Sequence, residues 1–407
     1  MISAISAGTL PARKFSRCFS KPLQTGIGNH QKMKCLSARP PFGLRVRSDQ
    51  FRYIDPMSQN AHFQQPGLAL QSPAAAISAA ELLKSGNLVG LPTETVYGLA
   101  ADATSDRAVA RIYAAKNRPD FNPLICHVDS GAMARTLAEF DSRAQSLADA
   151  FWPGGLTLVL PQIKSSPVSE LVTAGLGTIA LRCPDNSFVR SLITSLQVPL
   201  AAPSANPSGL LSPTSAEDVR SAFPVETVPL VIDGGPCPVG LESTIVYCIP
   251  GTPVTVLRPG AVTGEQLRNA LPDEAVLTHH SSGPDQKTPS APGMLASHYA
   301  PRARVRLISA ETPLSGPGIA IGSGDAVLTF GAAAIPGDEK AAARLDLSPS
   351  GDLVEAAANL FAMLRQLDRF RPQTIYVVAP PRNGLGVAIY DRLQRAAAPR
   401  NNEPTHS

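Results

Sequence analysis

Acidic residues are missing from the first 48 positions of this 407-residue chain, which nevertheless hold nine Lys or Arg. An acid-free stretch rich in Ser, Arg and Lys is typical of a transit peptide. Met57 offers a second explanation, because MSQNAHFQQ resembles an ordinary start and residues 1–56 would then be an over-extended gene prediction. With either explanation we expect residues 1–56 to be a disordered extension or a targeting segment.

Long apolar runs and an excess of basic residues are also missing from the rest of the chain. The formal net charge is +4 for all 407 residues, but residues 49–407 hold 27 basic and 32 acidic residues, a net charge of −5. This part therefore lacks the global basic field with which proteins grip nucleic acid. No run of eighteen apolar residues exists, so we expect no membrane span.

Paired cysteine spacings are absent as well, because the six cysteines form no CxxC motif. The sequence therefore gives no support for a structural zinc site or for any other protein-bound metal, and a disulfide framework is not expected at this length. Reduced thiols fit a cytosol-like compartment. We expect a cytoplasmic location, with a mitochondrial one as the alternative if residues 1–48 are a transit peptide.

The most informative stretch begins with the apolar run Leu88–Pro92, which predicts a buried strand. A polar turn follows, and from Asp106 apolar residues recur at spacings of three and four, which predicts a helix that ends before Pro119. A second strand is predicted at Pro123–Val128. Lys116 and Arg118 at the helix end either complement the helix dipole or form an anion site in this strand–helix–strand unit.

The remaining chain alternates between strand and helix patterns. A single helix is predicted over Ser130–Asp149, and a polar, proline-containing tract then separates two regions of alternating elements. The further strands are predicted at Leu156–Leu160, Thr178–Cys183, Val198–Pro203, Val228–Asp233, Ser243–Cys248, Val254–Leu257, Val305–Ile308, Gly318–Ile321, Ala326–Leu328 and Thr374–Ala379. The further helices are predicted at Ala74–Ser85, Phe188–Leu196, Val262–Leu271, Leu353–Leu367 and Ala388–Ala397. The pattern predicts a larger α/β domain and a small second one.

Several predicted strands end in polar or basic residues, and ligands of open α/β sheets collect at strand ends. Arg182 is the most informative, because TIALRC otherwise suits burial and an unpaired charge there would be costly. It has either an acidic partner or an anionic ligand. Ser204 and Asn206 can equally be turn residues, and His127 taken alone is more often a core or surface histidine.

Seven sequence motifs, in order, carry a resemblance to a known family. They are PTETVYGL at Pro92–Leu99, AAKNRPDFNPL at Ala114–Leu124, FWPGGLTLVL at Phe151–Leu160, TIALRCP at Thr178–Pro184, APSAN at Ala202–Asn206, GLEST at Gly240–Thr244 and LRPG at Leu257–Gly260. Residues 74–271 resemble the threonylcarbamoyl-AMP synthase family. APGMLASHYAP at Ala291–Pro301 and GLGVAIYDRL at Gly384–Leu393 resemble the linker and second domain of its long form.

The resemblance implies an α/β fold, in which a YrdC-like twisted mixed sheet with a concave active site is linked to a smaller Rossmann-like α/β domain. The implied organisation is a YrdC-like catalytic domain at 70–272, a linker or lid at 273–302 and a Rossmann-like domain at 303–398.

The implied activity is that of a nucleotidyltransferase. It would condense L-threonine, bicarbonate and ATP to threonylcarbamoyl-adenylate plus pyrophosphate, with Mg²⁺ accompanying ATP, for tRNA threonylcarbamoyladenosine modification. Downstream tRNA threonylcarbamoyl-transferase proteins would be its partners. The alternative is an RNA-binding YrdC-like module without turnover, so direct tRNA binding is left open.

The resemblance also implies roles for individual residues. The catalytic pair would be Lys116 and Arg118. The L-threonine contacts would be Thr93, His127, Arg182, Ala202 and Ser243. The ATP contacts would be Lys116, Arg118, Asn122, Thr178, Ser204, Ser212, Arg258 and Tyr299. Because Tyr299 lies on the linker, the linker could also close the site as a lid.

Overall fold

Two β-sheets organise the part of the chain that the computed structural model describes, namely residues 66–119, 122–278, 298–308 and 320–399. The predictions for residues 1–56 and for most of the linker lie outside these ranges. Of the strand predicted at Gly318–Ile321, Ala320 and Ile321 are described and do not belong to a strand. Among the helices of the described ranges, none has both the length and the apolar character needed to cross a bilayer.

The first sheet is built from eleven short strands. They are β1 (Leu68–Leu70), β2 (Val89–Leu91), β3 (Gly98–Asp102), β4 (Ile125–His127), β5 (Leu156–Pro161), β6 (Thr178–Arg182), β7 (Leu200–Ala201), β8 (Leu230–Asp233), β9 (Thr244–Tyr247), β10 (Val254–Arg258) and β11 (Val276–Thr278). The helices of this region are α1 (Pro73–Lys84), α2 (Asp106–Lys116), α3 (Gly131–Arg135), α4 (Ser142–Phe151), α5 (Glu170–Thr173), α6 (Ser187–Leu196), α7 (Ala216–Ala222) and α8 (Gly264–Ala270).

The strand order within this sheet is β1-β8-β2-β3-β7-β4-β6-β5-β9-β10-β11. Half of the neighbouring pairs are parallel and half antiparallel, which confirms the predicted mixed α/β architecture. The parallel neighbours β4 and β6 set His127 beside Arg182 at their carboxyl ends. The sheet thus brings together two polar residues that are 55 positions apart in sequence.

The local sequence determines where helix α2, which leads to Lys116 and Arg118, begins and ends. The Ser105 side chain accepts a hydrogen bond from the Ala108 amide and caps the helix, while Val109 and Ile112 are buried. The helix ends at Asn117, whose φ of 49° is left-handed. Asparagine tolerates this conformation and commonly ends a helix.

Two predictions about this region were wrong in detail. The predicted helix Ser130–Asp149 is two helices, α3 and α4, because the chain between them extends to bridge Ala138 with Gln162. Asp141 then caps α4 through the Ala144 amide. The predicted strand–helix–strand unit also contains β3, which pairs antiparallel with β2 before α2 begins.

The second sheet contains only parallel strands. Its elements are β12 (Arg304–Ile308), β13 (Ala326–Thr329), β14 (Ala343–Asp346), α9 (Leu353–Asp368), β15 (Thr374–Val378) and α10 (Gly386–Ala397). The strand order is β12-β15-β13-β14.

The second domain and loops of the first domain share one buried hydrophobic cluster. Val96, Leu211 and Leu241 from the first region belong to the same buried cluster as Leu360 and Phe361 of α9. The second domain therefore packs directly against loops of the first, and one of these loops continues into the candidate site.

Candidate active site

Nine of the thirteen predicted site residues line one cavity, although they come from separate loops and strands. They are Thr93, Arg118, His127, Arg182, Ala202, Ser204, Ser243, Arg258 and Tyr299. The set includes all five residues predicted for L-threonine. Lys116, Asn122, Thr178 and Ser212 do not line the cavity, although Lys116 and Ser212 bond to residues that do, and their roles as ATP contacts stay predictions.

The loop after β2 enters the cavity as a turn closed by a threonine side chain. Thr93 donates its hydroxyl to the Val96 carbonyl at 2.6 Å and accepts from the Thr95 amide at 3.2 Å. This local ring explains why a buried, polar Thr-Glu-Thr stretch keeps one conformation after an apolar strand.

Arg182 is held at the cavity wall by an acidic partner. Its Nη2 donates to Glu94 Oε1 at 2.6 Å, and its Nε donates to the Gly154 carbonyl at 3.2 Å. The two explanations that the sequence left open are therefore compatible. Arg182 has its carboxylate, and it also lines the cavity, where Glu94 does not.

His127 lies next to Arg182 and is neutral at physiological pH. Burial lowers the pKa of His127 from 6.5 to about 3, and the charge of Arg182 acts in the same direction. Its Nδ1 is buried and has no hydrogen-bond partner among the described residues. An unpaired polar atom at a cavity wall is costly unless a ligand or water supplies a partner.

Two further arginines line the cavity beside Tyr299. Arg118 donates to the carbonyls of Asn122 and Pro123 at 3.1 and 2.9 Å, and burial lowers its pKa to about 10, so it remains a cation at neutral pH. Arg258 donates from Nη2 to the Ser243 carbonyl at 2.9 Å, and burial lowers its pKa as well. Together they give this wall a positive charge.

Lys116 lies behind this wall. Its Nζ donates to the Ser204 carbonyl at 2.5 Å and also to the Asn206 carbonyl. Burial, and then the charge of Arg118, lower the pKa of Lys116 well below its ordinary value. In this structure Lys116 braces the Ser204–Asn206 loop.

The other three predicted residues, Asn122, Thr178 and Ser212, do not line the cavity and do not lie next to one another in the sequence. The Asn122 side chain is buried, and its Oδ1 has no hydrogen-bond partner within the described ranges. Thr178 begins β6, at the strand end opposite Arg182. Ser212 is buried and donates its hydroxyl to Glu242.

Glu242 and His298 also line the cavity and were missed from the sequence. Glu242 lies within GLEST, but nothing in that motif reveals that its partner is Arg392 of α10, whose Nε lies 2.8 Å from Glu242 Oε2. His298 precedes Tyr299, and the ring centroids of this pair are 4.1 Å apart. The adjacent His-Tyr in SHYAP was the one available signal.

The described residues contain no group of three or more His, Cys, Asp or Glu that could hold a metal ion. The carboxylate that lines the cavity, Glu242, already accepts from Ser212 and Arg392. This arrangement does not fit a protein cage for Mg²⁺, which demands several well-placed oxygen ligands.

Two family models match the chain in succession. The model described as Telomere recombination matches residues 81–260. The model described as Threonylcarbamoyl-AMP synthase, C-terminal domain, matches residues 262–398. The first contains most of the cavity-lining residues, and the second contains Arg392.

Relatives with both regions match nearly over their full length. The chain is 39% identical to the threonylcarbamoyl-AMP synthase of Pyrococcus abyssi over 332 residues, covering 79% of this chain and 94% of that protein. The Bacillus subtilis threonylcarbamoyl-AMP synthase is 39% identical over 342 residues, covering 79% and 92%. The crystal structure of P. abyssi Sua5 complexed with L-threonine is similar with a TM-score of 0.69 and 36% identity, covering 79% of this chain and 94% of that one. The chain thus belongs to the threonylcarbamoyl-AMP synthase family.

Proposed function

We propose that this chain condenses L-threonine, bicarbonate and ATP to threonylcarbamoyl-adenylate, pyrophosphate and water, and that the adenylate serves tRNA threonylcarbamoyladenosine modification. The observation that carries the proposal is one cavity that is lined by three arginines, Arg118, Arg182 and Arg258. The cavity has a volume of about 40 Å³ in this structure, so ATP and threonine could lie side by side in it only after lining residues move. The L-threonine bound to the P. abyssi protein supports the amino-acid half of this assignment.

The proposed chemistry joins a carbamate oxygen of N-carboxylated threonine to the α-phosphorus of ATP. The bond between the α-phosphorus and the bridging oxygen breaks, and pyrophosphate leaves with that oxygen. A weak oxyanion nucleophile thus meets a polyanion, so the protein must mainly position both reactants and neutralise charge. Arg118 and Arg258 would supply that charge, and their contacts to backbone carbonyls hold them in place before ATP binds.

Arg182 would bind the carboxylate of threonine. Its contacts to Glu94 and to the Gly154 carbonyl orient the guanidinium, which suits planar recognition of a carboxylate better than a lysine would. The Nδ1 atom of neutral His127 has no hydrogen-bond partner among the described residues, and a polar group of bound threonine could supply one. This supports the assignment of His127 and Arg182 to the polar end of the threonine pocket.

Mg²⁺ would arrive as part of the substrate, bound by phosphate oxygens and water. The engagement of Glu242 with Ser212 and Arg392 supports this proposal. We assign no step of the reaction to a protein-bound metal.

Linker residues would help to exclude water from the product, because a mixed anhydride hydrolyses readily. Tyr299 is 1% exposed, lines the cavity and adopts a left-handed φ of 62°. Such a conformation is unfavourable for tyrosine and persists only where the surroundings impose it. A labile product also implies prompt transfer, which is the role we propose for downstream tRNA threonylcarbamoyl-transferase proteins.

The test is pyrophosphate release by the purified full chain with ATP, bicarbonate and each of the twenty amino acids in turn. We expect release with threonine, dependence on bicarbonate, and a product whose mass matches threonylcarbamoyl-adenylate. Release that does not require threonine would refute the substrate assignment. RNA binding with a steep salt dependence and no nucleotide turnover would favour the RNA-binding alternative instead.

The cytoplasmic location remains a proposal, with mitochondria as the alternative. Residues 1–56 would decide it and lie outside the described ranges. Mass spectrometry of the native N-terminus and imaging of the tagged full chain would distinguish the two.

A further inference from the structure

Glu242 places a carboxylate on the wall of a cavity that we assign to a polyanionic nucleotide. It is buried and belongs to the loop before β9. An unpaired anion there would be costly and would repel phosphate. What neutralises Glu242 therefore bears on whether ATP can bind.

The group that neutralises it comes from the second domain. Arg392 of α10 donates from Nε to Glu242 Oε2 at 2.8 Å, and its side chain is 1% exposed. The same guanidinium contacts Asp391 at 2.6 Å and lies 5.1 Å from the centre of the Tyr299 ring. Arg392 thus touches two cavity-lining residues although it does not line the cavity itself.

A second arginine lies within electrostatic range of the same carboxylate. Burial alone would raise the pKa of Glu242, but Arg392, then Arg258 and the hydrogen bond from Ser212, outweigh it and keep the pKa below its ordinary value. Glu242 is therefore an anion. If Arg392 lost its charge, Arg258 would be the cation left to compensate Glu242.

The contact between the domains fixes this arrangement. Gly240 lies against α9 with φ of 70°, and a Cβ built on it would approach the Ala357 carbonyl oxygen to 2.6 Å. From the same helix, Arg365 donates to Asp218 at 2.9 Å and to the Ser212 carbonyl at 3.1 Å. The loop that contains Gly240 and Glu242 and the loop that contains Ser212 therefore both contact the second domain.

We propose that Arg392 is a positioning residue for the synthase reaction. It neutralises Glu242, so that the cavity wall presents no unpaired anion to the phosphates of ATP, and it supports the Tyr299 ring. The second domain thereby supplies a charge that the nucleotide wall requires. The inference rests on the proposed function only in taking ATP as the ligand of that wall.

The test is calorimetric binding of α,β-methylene-ATP with Mg²⁺ to the full chain. We expect Arg392→Gln to weaken binding about tenfold, because it leaves a buried carboxylate unpaired. Adding Glu242→Gln should restore binding to within about threefold of wild type, because a neutral pair replaces the ion pair. Arg392→Lys should lie between wild type and Arg392→Gln, because lysine keeps the charge without the planar fork.

The matched control is Arg395→Gln, one turn further along α10. Arg395 shares the partner Asp391, at 3.0 Å, but Glu242 is not among the contacts seen for it. We expect nucleotide affinity within about twofold of wild type there. Thermal melts of all variants separate loss of fold from loss of affinity.

Wild-type affinity in Arg392→Gln would overturn the inference, and so would a double variant as weak as the single one, since that marks a purely structural role. If wild type binds no nucleotide, the proposed function itself fails. If wild type binds the analogue but shows no threonine-dependent pyrophosphate release, only the proposed reaction fails, and the comparison of variants still decides the role of Arg392.

Discussion

Two arginine–glutamate pairs border the cavity, and they differ in which member lines it. In the pair Arg182–Glu94 the arginine lines the cavity and the carboxylate stands behind it. In the pair Arg392–Glu242 the carboxylate lines the cavity and the arginine stands behind. The first pair lies within one domain, whereas the second joins two.

The orientation of each pair sets the charge that a ligand meets. A buried ion pair is weak support for stability in itself, because desolvation offsets most of the attraction. In this cavity, each ion pair instead places one charged group at the cavity wall, while the other member of the pair neutralises that charge. Arg182 thus offers a cation suited to a carboxylate, while Arg392 compensates Glu242 so that this carboxylate does not repel the phosphates.

The largest effect is expected from removing the cavity-facing cation. Arg182→Gln removes the proposed contact to threonine and leaves Glu94 unpaired, so kcat/KM for threonine should fall on the order of 10²–10³-fold. The KM for ATP should change much less. Steady-state pyrophosphate release with each substrate varied in turn measures both, and a loss confined to ATP would contradict the assignment of this wall.

The next effect should come from the loop beside the second pair. Gly240→Ala adds a Cβ against the backbone of α9 at a left-handed φ, so we expect about 2–3 kcal/mol lower free energy of unfolding and weaker nucleotide binding. Gly175→Ala is the matched control, because its φ is 73° and nothing lies within 4 Å of its Cβ position. Urea unfolding should show only about 1 kcal/mol there. Equal losses at the two sites would contradict the close domain contact.

A smaller effect is expected from the rear member of the first pair. Glu94→Gln keeps the shape of the side chain and leaves the charge of Arg182, but weakens its orientation. The KM for threonine should rise roughly tenfold, corresponding to one charge-assisted hydrogen bond. A loss as large as that of Arg182→Gln would show that Glu94 does more than orient its partner.

The smallest effect concerns pH and the two buried histidines, one on each wall. Burial lowers the pKa of His127 and of His298 from 6.5 to about 3. The unfolded chain takes up these protons near pH 6.5 and the folded chain does not, so stability is present above that pH and is lost between about 6.5 and 3. From pH 7 to pH 6 each histidine should lower the free energy of unfolding by about 0.7 kcal/mol. In urea unfolding at both pH values, His127→Asn and His298→Asn should each lack that share of the pH difference. A pH difference equal to that of wild type would show that folding does not lower the pKa of that histidine.

The sequence predicted elements whose cause is local. Helix α2 follows from the spacing of Val109 and Ile112 and from its end before Pro119. Strand β3 was missed because Gly98–Asp102 is a run of small residues with little strand preference, and its partners β2 and β7 make it a strand. The break before Asp141 was missed because the helical pattern continues across it.

In the site, too, features with a local cause were predictable from the sequence, and contacts between distant residues were not. The family resemblance predicted nine of the lining residues, and most of these nine lie within one of its sequence motifs. The partners of those residues were not predictable. Glu94 lies 88 positions from Arg182, and Glu242 lies 150 positions from Arg392. No local pattern specifies contacts at such separations, and the approach of Gly240 to α9 is likewise visible only in the fold.

The contact at Gly240 limits how the molecule could open. A swing of the second domain away from the first would lift α9 from the loop before Glu242 and take Arg392 with it, dismantling the wall that is meant to receive ATP. Substrates and product should therefore enter and leave the cavity while the two domains remain in contact.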